Sequence, residues 1–150
     1  MIRKEFSEIQ GIQVNPLKII NGPKGDVRHA LKANDTSFLG FGEAYFSTMH
    51  QGEIKGWKRH NRATLNLVLS SGIVRFFAFD DRTDSVSKGA FAEIILSLDN
   101  YQRLTIGPGI WLAFQGLSEN NAILNICNMQ HDPTEADNRE INDPIMPKLS

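Results

Sequence analysis

The sequence has little cysteine, no excess of charge of either sign and no long apolar run. Cys127 is the only cysteine among 150 residues, so an intrachain disulfide is excluded and a reducing, cytoplasmic setting fits. Lys and Arg number 16 against 17 Asp and Glu. This balance argues against a nucleic-acid or membrane-surface partner, because such proteins usually carry a basic excess. No stretch resembles a signal peptide or reaches membrane-spanning length.

Helical periodicity is also absent. Short apolar runs separated by Gly, Pro and Ser recur instead, which is typical of all-β proteins. Leu65, Leu67 and Leu69 alternate with other residues, so they fall on one face of an extended chain. Six strands are predicted in this way, at residues 42–50, 63–71, 73–81, 91–98, 102–107 and 122–129.

The turns and the C-terminal segment complete this architecture. Ser71-Gly72 and Pro108-Gly109 predict tight turns, and the second leads into an aromatic-bearing strand. A further strand is expected around residues 26–32. From about residue 132 the chain becomes polar and is interrupted by prolines, so we expect a tail lying over the rest. About eight strands in residues 1–150 favour a single sandwich or jelly-roll domain.

Residues 52–62, GEIKGWKRHNR, concentrate basic side chains in an otherwise balanced chain. They are open to three interpretations: a solvated surface, part of a metal site, or one wall of a pocket for an anionic ligand. If the segment is extended, Lys58 and His60 point to the same face because they lie two residues apart. Gly56 would then leave room for the close approach of a ligand.

Three features follow one another in a set order: the segment at 52–62, then Gly72, then IGPGIWLAF (106–114). Their spacing resembles the two motifs of the cupin jelly roll, a fold that often binds a metal. Three of the four positions that hold metal ligands in that pattern are occupied here by Lys58, Leu65 and Leu112, and His60 alone is not a site. An ammonium group and two aliphatic side chains cannot ligate a divalent cation. We therefore expect neither a metal nor another cofactor.

A closer resemblance is to the metal-independent dTDP-4-dehydrorhamnose 3,5-epimerase family of nucleotide-sugar enzymes. The segments that carry it are DVRHAL (26–31), GEIKGWK (52–58), LTIGPGIWLAFQGLSENNAILNI (104–126) and NREINDP (138–144). The resemblance implies an all-β cupin-type jelly roll, also called a double-stranded β-helix. It also implies a homodimer, and a nucleotide-diphosphate 4-keto-sugar of polysaccharide or O-antigen biosynthesis as the substrate.

The resemblance assigns catalytic positions, and this chain departs from the family at two of them. Lys58 stands where the family has its base, paired with an aspartate that would be Asp143, and Asn125 stands where it has its tyrosine acid. Moving a proton beside a ketone needs a base, an acid and a cation or donor at the enolate oxygen. We expect Lys58, kept protonated by Asp143, to polarise the ketone, and His60 to move the proton.

Six further residues are candidates for binding the substrate. Lys55 replaces the arginine of the family motif and, with Arg62, is expected to meet the diphosphate. Arg28 matches an N-terminal arginine that, in the family, reaches the neighbouring subunit's ligand. His131 falls where the family has a second tyrosine, although a surface histidine fits a loop equally well. Trp57 and Trp111 could stack on a base or sugar, or simply pack in the core.

Two functions therefore remain. One is an enzyme of altered reaction, such as a single epimerisation or a keto-isomerisation. The alternative is a non-catalytic sugar or nucleotide-sugar binding cupin that has lost the base and acid. The replacement of polar residues by other polar residues, Lys58 and Asn125 among them, favours the enzyme.

Overall fold

The computed structural model describes residues 1–149, so that Ser150, the last residue of the predicted domain, lies outside the described part. The strands are β1 (Ile2–Arg3), β2 (Ile12–Pro16), β3 (Ile19–Ile20), β4 (Val27–Arg28), β5 (Glu43–His50), β6 (Ile54–His60), β7 (Leu65–Ser71), β8 (Val74–Phe79), β9 (Ala90–Leu96), β10 (Gln102–Ile106), β11 (Trp111–Gly116), β12 (Asn120–Cys127) and β13 (Ala136–Asn138). The one helical element is a 3₁₀ turn at Phe6–Glu8, so residues 1–149 contain no helix that could cross a bilayer. The predicted all-β class is confirmed.

Two sheets face each other. One has six strands in the order β1-β9-β8-β11-β6-β13, and the other has five in the order β2-β10-β7-β12-β5. From β5 to β8 and from β9 to β13 each strand lies in the sheet opposite its predecessor. This alternation produces the jelly roll that the sequence predicts.

The core lies between the sheets, and the alternation of β7 supplies much of it. Leu65, Leu67 and Leu69 are each at most 4% exposed and pack inward. The opposite face of β7 is covered as well: Asn66 donates a hydrogen bond from its amide to the backbone oxygen of Ser37. A loop before β5 thus shields part of the outer face of the five-stranded sheet.

That loop explains one difference from the sequence prediction. The strand expected around residues 26–32 is limited to Val27–Arg28, which pairs with Ile19–Ile20 in a small ribbon. After this ribbon, the loop is held to the five-stranded sheet by Arg103 of β10. The Arg103 side chain donates to the backbone oxygen of Ala30 and lies 3.4 Å from the Asp35 carboxylate. Side-chain contacts of this kind leave no periodicity in the sequence.

A second apolar cluster covers the outer face of the six-stranded sheet, and it corrects the interpretation of both tryptophans. Trp57 is 0% exposed and Trp111 is 1% exposed, on the side of the sheet away from the interior. The guanidinium groups of Arg59 and Arg139 lie 4.8 and 4.6 Å from the centre of the Trp111 ring, and the indole N–H donates to Asp81 at 3.1 Å. Both rings are therefore packing residues rather than stacking surfaces for a ligand.

The C-terminal segment closes this cluster. Residues 136–138 add β13 to the edge of the six-stranded sheet, beside β6. Ile141, Met146 and Leu149 then pack over the tryptophan cluster, and Met146 is only 5% exposed. The tail lies over the fold as predicted, but it is attached by a strand and by apolar side chains despite its polar composition.

The packing of the tail predicts a difference between two adjacent residues. Met146→Ala should lower the free energy of unfolding by about 2 to 5 kcal/mol, because it leaves a cavity under the tail. Ile145→Ala is the control, since Ile145 is 64% exposed, and it should change stability by about 0.5 kcal/mol or less. Urea denaturation of both variants measures the difference, and equal effects would contradict the packing described.

Candidate active site

A cavity of about 290 Å³ lies inside the jelly roll, between the two sheets. Its apolar lining comes from both sheets and consists of Leu65, Leu67, Leu112, Phe114 and Ile123. Its polar lining consists of Tyr45, Ser47, Lys55, Lys58, His60, Asn125 and Asn138. The lining contains two lysines and a histidine but no carboxylate, so the cavity favours an anionic or electron-rich ligand.

Strand β6 presents three of these side chains because its pairing is irregular. Opposite β11, Lys58 pairs with Leu112 but Lys55 pairs with Phe114, so β6 has one extra residue between the two pairs. As a result, Lys55 and Lys58 both reach the cavity although they are three residues apart. Lys58 and His60 share a face as predicted.

Gly56 makes this irregularity possible. Its φ of 133° lies in a region that side chains rarely adopt, and a Cβ there would be 2.7 Å from the Cβ of Ala113. The glycine is therefore required for the close approach of β11. Gly56 also borders the cavity, and the expectation that it makes room there for a ligand stays a prediction.

A carboxylate orients His60 from behind. The Nδ1 atom of His60 lies 2.6 Å from Oε1 of Glu135, a side chain that is 5% exposed. The other oxygen of Glu135 accepts the backbone N–H groups of Arg62 at 2.9 Å and Ala63 at 3.0 Å. Because a carboxylate accepts hydrogen bonds, Nδ1 carries the proton and Nε2 is left as the basic nitrogen.

These contacts also set the charge of Glu135. Burial by itself would raise the pKa of this carboxyl group, but the N–H groups of Arg62 and Ala63 and the ring of His60 lower it below its ordinary value. Glu135 therefore remains a carboxylate near neutral pH.

The predicted pairing of Lys58 with Asp143 is wrong. Asp143 lies in the C-terminal loop, where its Oδ1 atom accepts the N–H of Ile145 at 3.0 Å. Within residues 1–149, Lys58 forms no ion pair, so no fixed carboxylate neutralises its ammonium group. The carboxylate that contacts a side chain of the cavity wall is instead that of Glu135, which binds His60. Glu135 gave no sequence signal, because only the pairing of β13 with β6 brings it to the site.

Asn125 enters the cavity from β12, directly opposite Tyr45 of β5. Its amide Nδ2 donates to the hydroxyl oxygen of Tyr45 at 2.8 Å, while its Oδ1 atom is buried and has no partner. Burial raises the pKa of Tyr45, as do the nearby Cys127, Glu43 and Glu135. Tyr45 was not predicted as a site residue. Its place in a strand next to that of Asn125 becomes apparent only once the register is known.

Lys55 spans the gap between the two sheets. Its ammonium group donates to the hydroxyl of Ser47 on β5 at 3.2 Å. Lys55 therefore lies in the cavity wall, and its expected contact with a diphosphate stays a prediction.

The remaining candidates lie elsewhere. Arg62 pairs with Asp132 at 2.8 Å on the surface, and His131 is exposed in the neighbouring loop. Arg28 donates to the oxygen of Ser70 and lies 5.7 Å above the ring of Tyr101, outside the five-stranded sheet. None of the three lines the cavity of its own chain, because each is attached to a segment on the outer surface. Within residues 1–149, no three His, Cys, Asp or Glu side chains are grouped so as to hold a metal.

The fold and the cavity agree with what is known of similar proteins. No protein-family model matches the sequence. The spore coat polysaccharide biosynthesis protein SpsL of Bacillus subtilis (strain 168) is 24% identical over 134 residues, 89% of each chain. A dTDP sugar isomerase from Desulfovibrio desulfuricans G20 superposes with a TM-score of 0.91 at 29% identity, covering 94% of this chain and 91% of its own.

A structure with a bound dTDP-sugar is more distant in sequence. RmlC of Legionella pneumophila Philadelphia 1, a dTDP-6-deoxy-D-glucose-3,5-epimerase in complex with dTDP-4-keto-L-rhamnose, has a TM-score of 0.82 at 20% identity, over 93% of this chain and 78% of its own. The chain thus has the cupin-type jelly roll of dTDP-sugar epimerases and isomerases. The resemblance to the dTDP-4-dehydrorhamnose 3,5-epimerase family, predicted from four short motifs, is confirmed.

The contacts of Glu135 predict a pH-dependent loss of stability. Glu135→Gln should lower the free energy of unfolding by about 1.5 to 3 kcal/mol at pH 7, because hydrogen bonds to a charged group are lost. The folded-state pKa is lowered, so this stabilisation is complete above the ordinary value of 4.5 and disappears as the pH falls through the lowered value. The gap between variant and wild type should therefore close in acid.

Urea denaturation at several pH values measures that gap. Glu119→Gln serves as the control, since this residue is exposed and its loss should leave the pH dependence unchanged. A gap that stays constant down to pH 3 would contradict the proposed charge of Glu135.

Proposed function

We propose that the protein is a nucleotide-sugar epimerase or isomerase that moves a proton beside the ketone of an NDP-linked 4-keto-6-deoxy sugar. The observation that carries the proposal is the pairing of His60 with buried Glu135 at the wall of a cavity. The similarity in fold and size to a dTDP sugar isomerase and to a polysaccharide biosynthesis protein supports the same class of substrate.

His60 is the base of this reaction. The Nδ1–H group of His60 donates a hydrogen bond to Glu135. The Nε2 atom is therefore free to take a proton from the carbon beside the ketone. Glu135 holds the ring in one tautomer and stabilises the imidazolium that forms. The pair does the work that the family resemblance assigns to residues 58 and 143.

Lys58 stabilises the enolate. It lies on the same wall as His60, two residues away, and no carboxylate in the cavity lining competes for its ammonium group. A cation at the developing oxyanion lowers the barrier of such a step by about 3 kcal/mol. We assign the contact with the diphosphate to Lys55, a cation in the gap between the sheets.

The second candidate function is a sugar-binding module without chemistry. Asn125 favours it, because an amide stands where the family has its acid and cannot donate a proton as a phenol does. On this alternative Lys58 and His60 only contact a bound ligand. The two functions differ in one observable, the exchange of carbon-bound protons with solvent.

That exchange provides the test. The protein is incubated in D2O with a panel of nucleotide 4-keto-sugars, and deuterium is sought at the carbons beside the ketone. His60→Ala should slow exchange on the order of a hundredfold, as for a lost general base. Lys58→Ala should cost about 3 kcal/mol of transition-state stabilisation. Lys55→Ala should weaken substrate binding more than it slows turnover.

His50→Ala is the matched control, because His50 is exposed at the end of β5 and does not line the cavity. It should exchange at the wild-type rate. Unchanged exchange in both Lys58→Ala and His60→Ala would refute the catalytic proposal, and the binding module would replace it.

We also propose a cytoplasmic homodimer in which a second copy covers the outer face of the five-stranded sheet. Phe41 and Phe46 are each 65% exposed on or beside this face, next to Leu124. The edge strand β5 carries Phe46, and unpaired sheet edges favour association. Arg28 lies at the border of the same face, in a position to approach a partner's ligand.

The dimer is tested by light scattering at micromolar concentration. Phe46→Lys should shift the mass from dimer to monomer, because it places a charge in the apolar contact. Val86→Lys is the control, since Val86 is 90% exposed and lies outside this face. A monomeric wild-type protein would contradict the proposal.

A further inference from the structure

We propose that Tyr45 is the proton donor of this site and that Asn125 positions its hydroxyl group. The inference rests on the proposed function and extends it, because that function so far has a base but no acid. Tyr45 lines the same cavity as His60 and is 42% exposed, so its hydroxyl is accessible to a ligand.

The register of two strands explains how the acid comes to be at position 45. In the ladder between β12 and β5, Asn125 and Tyr45 are direct partners. Directly opposite side chains in an antiparallel ladder lie within about 5.5 Å at their Cβ atoms, on the same face of the sheet. A phenol on either strand therefore reaches nearly the same point in the cavity. The hydroxyl that the resemblance expects at position 125 is supplied here by the neighbouring strand.

The hydrogen bond between the two side chains sets the direction of donation. Asn125 donates its amide N–H to the Tyr45 oxygen at 2.8 Å, so the hydroxyl proton of Tyr45 is left for another acceptor. Burial raises the pKa of Tyr45, followed by the effects of Cys127, Glu43 and Glu135, which keeps the phenol protonated at neutral pH.

A second observation at the same point indicates a ligand. The Oδ1 atom of Asn125 is buried without a hydrogen-bond partner, and the residue is 7% exposed at the cavity wall. A buried acceptor without a partner is costly unless something donates to it. A hydroxyl group of a sugar is a donor of the required kind.

The positions of Tyr45 and His60 favour inversion of a stereocentre. His60 belongs to the six-stranded sheet and Tyr45 to the five-stranded sheet, so the two groups approach the cavity from facing walls. The C–H bond beside the ketone breaks, its proton goes to Nε2 of His60 and its electrons form the enolate. The enolate carbon then takes the proton of Tyr45 on the other face. Exchange with water reprotonates Tyr45 and deprotonates the imidazolium.

The test separates exchange from inversion. A dTDP-linked 4-keto-6-deoxy-hexose is incubated in D2O with wild type and with Tyr45→Phe, and proton NMR follows both deuterium incorporation and configuration. Tyr45→Phe should lose inversion on the order of a hundredfold. It should still exchange, because His60 can return deuterium to the face from which the proton left.

Moving the phenol back provides the decisive control. Tyr45→Phe combined with Asn125→Tyr should recover inversion, since the hydroxyl returns to the same point from the partner strand. Asn125→Ala should lower inversion by a larger factor than exchange, as expected of a residue that positions the Tyr45 hydroxyl. A purely structural role for either side chain would lower both rates together and would not be rescued by the double variant.

The outcomes are distinguishable from failure of the proposed function. Exchange with undiminished inversion in Tyr45→Phe would overturn the role of Tyr45 and leave the function intact. Absence of exchange in the wild-type protein, across the panel of keto-sugars, would overturn the function and this inference with it. Binding of dTDP and the thermal midpoint, measured for each variant, identify any that fail to fold.

Discussion

The rest of the site depends on one buried carboxylate. Glu135 accepts two backbone N–H groups just beyond β6 and binds the His60 ring with its other oxygen. The same side chain therefore connects the chain just before β13 to the chain just after β6 and holds the Nδ1 side of the His60 ring. An anion can occupy so buried a position because each of its oxygens is satisfied. Without it, the histidine would have no defined tautomer.

The two faces of strand β6 carry different kinds of side chain. Lys58 and His60 face the cavity, whereas Trp57 and Arg59 face the second apolar cluster. The extra residue at Gly56 lets Lys55 join the cavity side. Packing of the outer face by Met146 and its neighbours therefore supports the position of the cationic side chains on the inner face. Stability and site geometry are coupled through a single strand.

The fold was more predictable than the site. Alternation in residues such as Leu65, Leu67 and Leu69 reports burial directly, so most strands and the jelly roll follow from sequence. The prediction that the side chains of Lys58 and His60 share one face was also correct, because it needs only that they lie two residues apart on a strand. The partnership of Glu135 with His60 and that of Tyr45 with Asn125 depend on register between strands 75 and 80 positions apart. No local pattern encodes such a register, and the tryptophans were ambiguous because aromatic side chains suit cores and ligands alike.

The position of β13 after all the other strands has a consequence for biosynthesis. Residues 1–127 contain every strand of the five-stranded sheet and all but one of the six-stranded sheet. The carboxylate for His60 follows only at position 135, and the apolar cover of Trp57 later still. Because a ribosome delivers the chain from its N-terminus, the nascent protein can form both sheets before His60 has its carboxylate partner. A chain interrupted between residues 127 and 135, by premature termination or proteolysis, would keep every strand except β13, while His60 would lack its carboxylate partner.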